Sequence, residues 1–328
     1  MKIAIIGAGP AGLATADHLQ NAGHEVVLYD KGPIAGNITR YPYYMTWFST
    51  KELLEIGGVP LTIPADKPTR RDYLNYLTRF VETKKLKVRT YHEVLDVTGE
   101  QGDFRLQLEK KPMGERSEES AEAIIVAIGA YDHPQMLGIP GEDLPKVSHY
   151  YKEPHPYHDR DVLVIGGRNS AAEAALEIWR NGGRVTLSYR RDTFPSSVKY
   201  WVKPDIENRI EAGEITGYLP SEVVSIQNDS ATIRYRGEEI AFPNDFVLAL
   251  TGYQPDIDFL AQLGVEFDPE TKRPNLDPDT YETNVPGIYI VGVIQAGNIS
   301  SEIFIENSRH HGEVIARALA QRVAPVTA

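Results

Sequence analysis

The chain repeats itself. At an offset of 159 residues, IAIIGAGPAGLATADHLQNAGHEVVLYDK, starting at Ile3, aligns without a gap on VLVIGGRNSAAEAALEIWRNGGRVTLSYR, starting at Val162. Each copy opens on a short apolar run, Ile3 to Ile6 and Val162 to Ile165, of the kind buried on both faces of a parallel sheet. Each then crosses a glycine turn into helical spacing. The first helix carries Leu13, Ala16 and Leu19 and stops at Gly23; the second carries Ala172, Ala175, Leu176 and Trp179 and stops at Gly182 and Gly183. A second strand, EVVLYD or RVTLSY, completes a βαβ unit in each. The repeat therefore predicts an α/β chain built on two Rossmann-like units, and 328 residues with 41% apolar content are enough to give each a core.

The first copy reads G-x-G-x-x-G at Gly7, Gly9 and Gly12, with Asp30 closing the second strand 21 residues beyond Gly9. Each part has a physical task in holding a dinucleotide. Gly7 permits the tight turn, Gly9 lets backbone approach a pyrophosphate, and Gly12 lets helix pack on strand. The helix N-terminus offers free N–H groups to phosphate, and Asp30 accepts from a ribose. In the second copy Ala171 replaces Gly12, Arg168 replaces Gly9, and Tyr189 replaces Asp30, with Arg190 and Arg191 following. Loss of the carboxylate and gain of guanidinium groups favour a ribose 2′-phosphate, hence NADPH over NADH. Arg168 obstructs a pyrophosphate unless it points outward, in which case its charge helps hold the phosphates; a degenerate repeat that binds nothing is the alternative.

Two dinucleotide sites in one chain suggest a relay from nicotinamide to flavin and onward. The bulk properties restrict what the last acceptor is. The net charge of −12, with no basic stripe, argues against nucleic acid. No window approaches the roughly 18 consecutive apolar residues of a membrane span. MKIAIIGAG enters a strand directly, so no secretory leader is expected and the location is read as cytoplasmic. The cysteine count is zero, which excludes disulfides, thiolate metal sites and a dithiol relay.

The remaining segments carry a resemblance. AIIVAIGA (Ala123 to Ala130) and FVLALTGY (Phe246 to Tyr253) look like crossings between a flavin domain and an inserted nicotinamide domain, and VPGIYIVGVIQAGNISSEIFIENSRHHGEVIARAL reads as strand, loop and long helix. Over essentially its whole length the chain resembles the thioredoxin-reductase-like FAD/NAD(P) oxidoreductases. WFSTKELLEIGGVPL (Trp47 to Leu61), SSVKYWVKPDIENRI (Ser196 to Ile210) and SEIFIENSRHHGE (Ser301 to Glu313) are similar to segments of their bacillithiol disulfide reductase branch. There are departures. SHYYKEPHPYHDRD, before the second copy, stands where many relatives carry Cys-x-x-Cys; Ala11 stands where the branch often has a cysteine; and Gly292-Val293 replaces a Gly-Asp pair.

The resemblance implies an FAD-binding domain at 1–133 and 255–328, interrupted by an NADPH-binding domain at 134–254, and a homodimer. It implies that FAD is held by Gly7, Gly9, Pro10, Ala11, Gly12, Asp30, Lys31, Gly36, Asn37, Thr46, Val94, Gly129, Gly292, Glu302 and Ile303. NADPH falls to Gly166, Gly167, Arg168, Asn169, Ser170, Arg190 and Arg191. The flavin ring is expected near Tyr43 to Ser49 and the start of the terminal helix. Tyr43, Tyr44, Trp47 and Phe48 wall that ring or simply pack in the core. His310 and His311 either supply a proton or are surface or capped residues, and no acid-base or metal-ligating residue is assigned. Without a cysteine, electrons leave from the flavin itself or by way of the substrate's own thiol, and the implied acceptor is a small molecule such as a low-molecular-weight disulfide. A ferredoxin or flavodoxin NADP reductase and a non-catalytic flavin-binding regulator stay open beside it.

Overall fold

A computed structural model describes residues 1–299 and 302–323; Ser301 of the quoted terminal segment and positions 324–328 of the expected flavin stretch lie outside the described residues. The chain forms two compact units. One comprises Met1–Thr39, Ser49–His133 and Tyr253–Ala328, the other Arg40–Phe48 and Pro134–Gly252, so the second is inserted into the first.

The first unit is built on a five-stranded parallel sheet in the order Ile288–Ile290, Ala123–Val126, Lys2–Ile6, Glu25–Tyr29, Lys87–Arg89. Beyond Lys2 and Glu25 at their starts, its central strands are apolar and buried because both faces are covered. Helix Pro10–Asn21 buries Leu13, Ala16 and Leu19 on one side. On the other lies an antiparallel meander, His92–Glu100, Asp103–Lys110 and Glu115–Ala121. Its middle strand alternates strictly: Phe104, Leu106 and Leu108 pack with Ala4, Ile6, Val27 and Tyr29, while Asp103, Arg105 and Gln107 face water.

The second unit repeats this plan. Its parallel sheet runs Thr216–Tyr218, Arg184–Ser188, Asp161–Ile165, Phe246–Ala249, Val147–Ser148. Helix Asn169–Arg180 covers one face with Ala171, Ala172, Ala175 and Leu176 against Val162 and Val164. The meander Ser221–Ile226, Ser230–Tyr235, Glu238–Pro243 covers the other, with Val223 and Ile233 against Leu163, Ile165 and Val247.

The expected long terminal helix is corrected to two pieces. A single turn, Ile305–Ser308, is separated from helix His311–Val323 by Arg309 and His310. Two anchors fix the break. Arg309 Nη1 donates to the carbonyls of Glu52, Leu53 and Glu55 at 2.8–3.0 Å. Beyond it, a Cβ on Gly312 would stand 2.7 Å from Thr15 Cα, so the longer piece lies directly on helix Pro10–Asn21. Among the described residues no helix is long and apolar enough to cross a membrane.

Candidate functional site: two glycine-turn cradles

In each unit the chain leaves the first strand of the repeat through a glycine turn at the carboxyl edge of the parallel sheet, and open α/β sheets bind ligands at that edge. In the first unit the strand exits are Gly7 after Lys2–Ile6, Asp30 after Glu25–Tyr29, Ala127 to Gly129 after Ala123–Val126, and Val291-Gly292 after Ile288–Ile290. Gly7 N–H donates to the Tyr29 carbonyl at 2.7 Å and Ala127 N–H to the Ile6 carbonyl at 2.8 Å, which draws three exits together.

The glycines divide by what their missing side chains would meet. Gly7 has φ +109, and a Cβ there would be 2.4 Å from the Ala127 carbonyl oxygen; a Cβ on Gly12 would be 2.2 Å from the Gly7 carbonyl oxygen. These two are demanded by the turn and by helix packing. Gly9 is different: its φ is −79, open to any residue, and nothing lies within 4 Å of its Cβ position. The fold does not need a glycine there, and the space stands open at the N-terminus of a 12-residue helix. That fits a phosphate group. Pro10 occupies the first turn and Ala11 approaches Gly292, where a Cβ would be 3.0 Å from Ala11 Cβ.

Asp30 braces this loop from its other side. Its Oδ2 accepts from Ala8 N–H and its Oδ1 from Gly32 N–H, both at 2.8 Å. Burial pushes its pKa up, while the two amides pull it down. Each carboxylate oxygen keeps a free acceptor site, so a ribose hydroxyl can still be bound. Gly36 begins the short helix Gly36–Thr39, and the Asn37 amide nitrogen lies 3.3 Å from the Cβ position of Gly129, itself at φ +72.

The other residues expected at this site have partners of their own. Lys31 pairs with Asp132 at 3.1 Å, and exposed Glu302 with Arg273 at 2.5 Å; Ile303 follows, half-buried. Val94 is buried in the meander core beside a register shift toward Asp96. Thr46 is grouped with the second unit, exposed, its carbonyl accepting from Lys199 Nζ at 3.4 Å. The core-packing alternative for the aromatic stretch is overturned for Tyr43, Tyr44 and Phe48, which are exposed, Phe48 stacking on Trp201 at 5.7 Å. The surface alternative is overturned for His311: it is 6% exposed, and desolvation, helped by the neighbouring His310, lowers its pKa to about 4, so the ring is neutral at neutral pH.

The second cradle has the same hydrogen-bond frame. Gly166 N–H donates to the Ser188 carbonyl at 2.9 Å and Leu250 N–H to the Ile165 carbonyl at 2.8 Å. Gly166 has φ +137, and its Cβ would meet the Leu250 carbonyl oxygen at 2.6 Å. The ring of Tyr189 covers Gly167, 2.4 Å from where a Cβ would stand. So the residue ending the second strand contacts the residue after the first glycine in both units, by hydrogen bond at Asp30 and by packing at Tyr189. Arg168 is exposed with extended backbone, and Ser170, Arg190 and Arg191 are exposed as well. The Arg168 side chain thus projects outward rather than filling the turn.

Asn169, among the residues that the resemblance assigns to NADPH, has its side chain engaged within the protein. Its Nδ2 donates to the Ser197 carbonyl at 3.1 Å and its Oδ1 accepts from Lys199 N–H at 2.8 Å. Lys199 Nζ in turn pairs with Glu173 at 2.5 Å. No motif in the sequence marks the contact between Lys199 and Glu173, which spans 26 residues.

Two such cradles on parallel sheets, one unit inserted in the other, define the class: a thioredoxin-reductase-like oxidoreductase scaffold. Residues 4–292 match the family described as pyridine nucleotide-disulphide oxidoreductase. Bacilliredoxin reductase Bdr of Bacillus subtilis (strain 168) is 43% identical over 323 residues, 98% of each chain. The solved bacillithiol disulfide reductase Bdr from Bacillus cereus is 42% identical with a TM-score of 0.95, covering 98% of this chain and 100% of that one. Its counterpart from Staphylococcus aureus is 36% identical with a TM-score of 0.93, over 99% of both. The chain belongs to the pyridine nucleotide-disulphide oxidoreductase family, in the branch of these reductases, and is an enzyme of that class. Membership implies a flavin and a nicotinamide cofactor.

Proposed function

We propose that this protein is an FAD-dependent NADPH oxidoreductase that reduces a low-molecular-weight disulfide, with bacillithiol disulfide, the substrate in the names of its solved relatives, as first candidate. The observation that carries the cofactor reading is the open space at Gly9 between two glycines that the fold itself requires. In this reading the first unit is the FAD domain. Gly9 and the Ala11 and Gly12 amides line the pyrophosphate, Asp30 binds the adenosine ribose, and Asn37, Gly129 and Gly292 border the ring side. The unit containing 134–252 takes NADPH, with Arg168, Arg190 and Arg191 as exposed cations for its phosphates and Tyr189 denying the ribose a carboxylate.

When bound, the two cofactors let NADPH, one proton and one disulfide become NADP and two thiols. The chain contributes no sulfur to this exchange, because it has no cysteine. The acceptor therefore has to reach the flavin domain itself, and a moving dithiol has no part. A homodimer is the assembly that the resemblance supports.

The test is to purify the chain, record its flavin, and mix it anaerobically with NADPH or NADH. Rapid bleaching by NADPH, followed by reoxidation with bacillithiol disulfide faster than the air background, is the expected result. A colourless protein that ignores added FAD sinks the reading. Reoxidation by ferredoxin or quinone alone moves the assignment to a ferredoxin-type reductase.

A further inference from the structure

Gly292 sits at φ +82, ψ −162, a conformation essentially confined to glycine. Glycine has little intrinsic preference for any one backbone state, so something else has to hold the peptide there. Two hydrogen bonds do so among the described residues: the Gly292 carbonyl accepts from Gln295 N–H at 3.2 Å, and on the N–H side His311 Nδ1 lies 3.3 Å from Gly292 N. Nδ1 accepts only if the ring is neutral with its proton on Nε2, and the buried ring, whose pKa is lowered to about 4, is neutral.

The ring is itself fixed from two directions. Tyr281 packs against it at 4.7 Å between centroids, and the Tyr281 carbonyl accepts from Ile290 N–H at 3.1 Å, which ties it to the strand that leads into Gly292. On the next residue, Gly312 presses against Thr15, in the helix whose N-terminus borders the Gly9 opening. The residue after Gly292 is Val293, half-buried and without a polar side chain. No side chain at position 293 can steady this turn by hydrogen bonding, and the backbone at Gly292 lies against Ala11.

We infer that His311 is a positioning residue for the flavin site, holding the Gly292 peptide so that the Gly292-Val293 backbone and the first glycine loop form one surface. The inference rests on the reading of the first unit as the FAD domain. His311 touches no reacting atom in this role; it acts through Gly292.

The test compares the parent holoenzyme with His311→Phe, which fills the ring volume without an acceptor, and His311→Asn, whose Oδ1 can replace Nδ1. The readouts are the rate of FAD release from folded protein, followed by the rise of flavin fluorescence well below the unfolding temperature, and the visible flavin spectrum. His311→Phe is expected to release FAD on the order of tenfold faster, with an altered flavin spectrum, and His311→Asn to restore most of both. A merely structural histidine would lower the unfolding temperature of His311→Phe and leave FAD release and spectrum as in the parent, which overturns the inference while the flavin reading stands. Should His311→Phe not fold, imidazole 15N shifts of the parent decide: movement of the His311 signals on FAD removal supports the role, and unmoved signals overturn it. A parent chain that takes up no FAD overturns the flavin reading and this inference together.

Discussion

At Gly7, Gly9 and Gly12 the same residue type answers three different demands, and substitutions separate them. Gly12→Ala puts a Cβ 2.2 Å from the Gly7 carbonyl oxygen. It is expected to destabilise the chain by about 1–3 kcal/mol through overpacking, read as a shift in denaturant midpoint. Gly9→Ala meets nothing within 4 Å. Its stability without flavin should stay within about 0.5 kcal/mol of the parent, while FAD affinity falls, measured by flavin absorbance after gel filtration. Equal effects of both substitutions on stability would contradict the division. His311 offers a third residue-level test, with a defined sign. Its pKa is depressed from 6.5 to about 4, so the unfolded chain binds the proton first as pH falls. The neutral form's contribution is complete above pH 6.5 and is lost progressively as the pH falls to about 4. Between pH 7 and pH 4.5 the parent should lose about 2–3 kcal/mol more stability than His311→Asn, measured by urea unfolding at both values.

At the scale of elements, the duplication extends beyond the stretch that aligns. Both units place a meander just before the parallel strand that returns beside the glycine turn: Ala123–Val126 next to Lys2–Ile6, Phe246–Ala249 next to Asp161–Ile165. The constant 159-residue offset hides this, since Ile3 pairs with Ala123 whereas its counterpart Val162 pairs with Phe246. Within the equivalent frames the strand ends diverge, and the proposed reading assigns a different nucleotide to each. Arg190 and Arg191 are exposed beyond Tyr189 and free of internal ion pairs among the described residues. Replacing both with Ala should raise the NADPH KM by about tenfold or more while leaving NADH nearly unchanged, because each charge-assisted phosphate contact is worth roughly 1.5–3 kcal/mol. Equal changes for the two nucleotides would assign the 2′-phosphate elsewhere.

At the scale of the whole molecule, a chain with no cysteine on a disulfide-reductase scaffold makes a clear chemical statement. Pretreatment with a thiol-alkylating reagent, removed before assay, should leave NADPH oxidation and disulfide reduction unchanged within error; loss of activity would show that a group other than a thiolate is being modified at the site. The sequence by itself determined the two βαβ units, their glycine turns and the buried strands, because these depend on local spacing: apolar runs, helical periodicity, and glycines where φ is positive. It equally fixed what chemistry the chain lacks. Tertiary structure alone decided which of three similar glycines leaves open space, since that depends on Ala127 and the Gly7 carbonyl coming near two of them and nothing near the third. It also decided that Arg40–Phe48 is grouped with the second unit, that Lys199 bridges Glu173 and Thr46, and that His311 reaches back to Gly292. Those contacts join residues far apart in the chain, and no pattern confined to one segment encodes the approach of another.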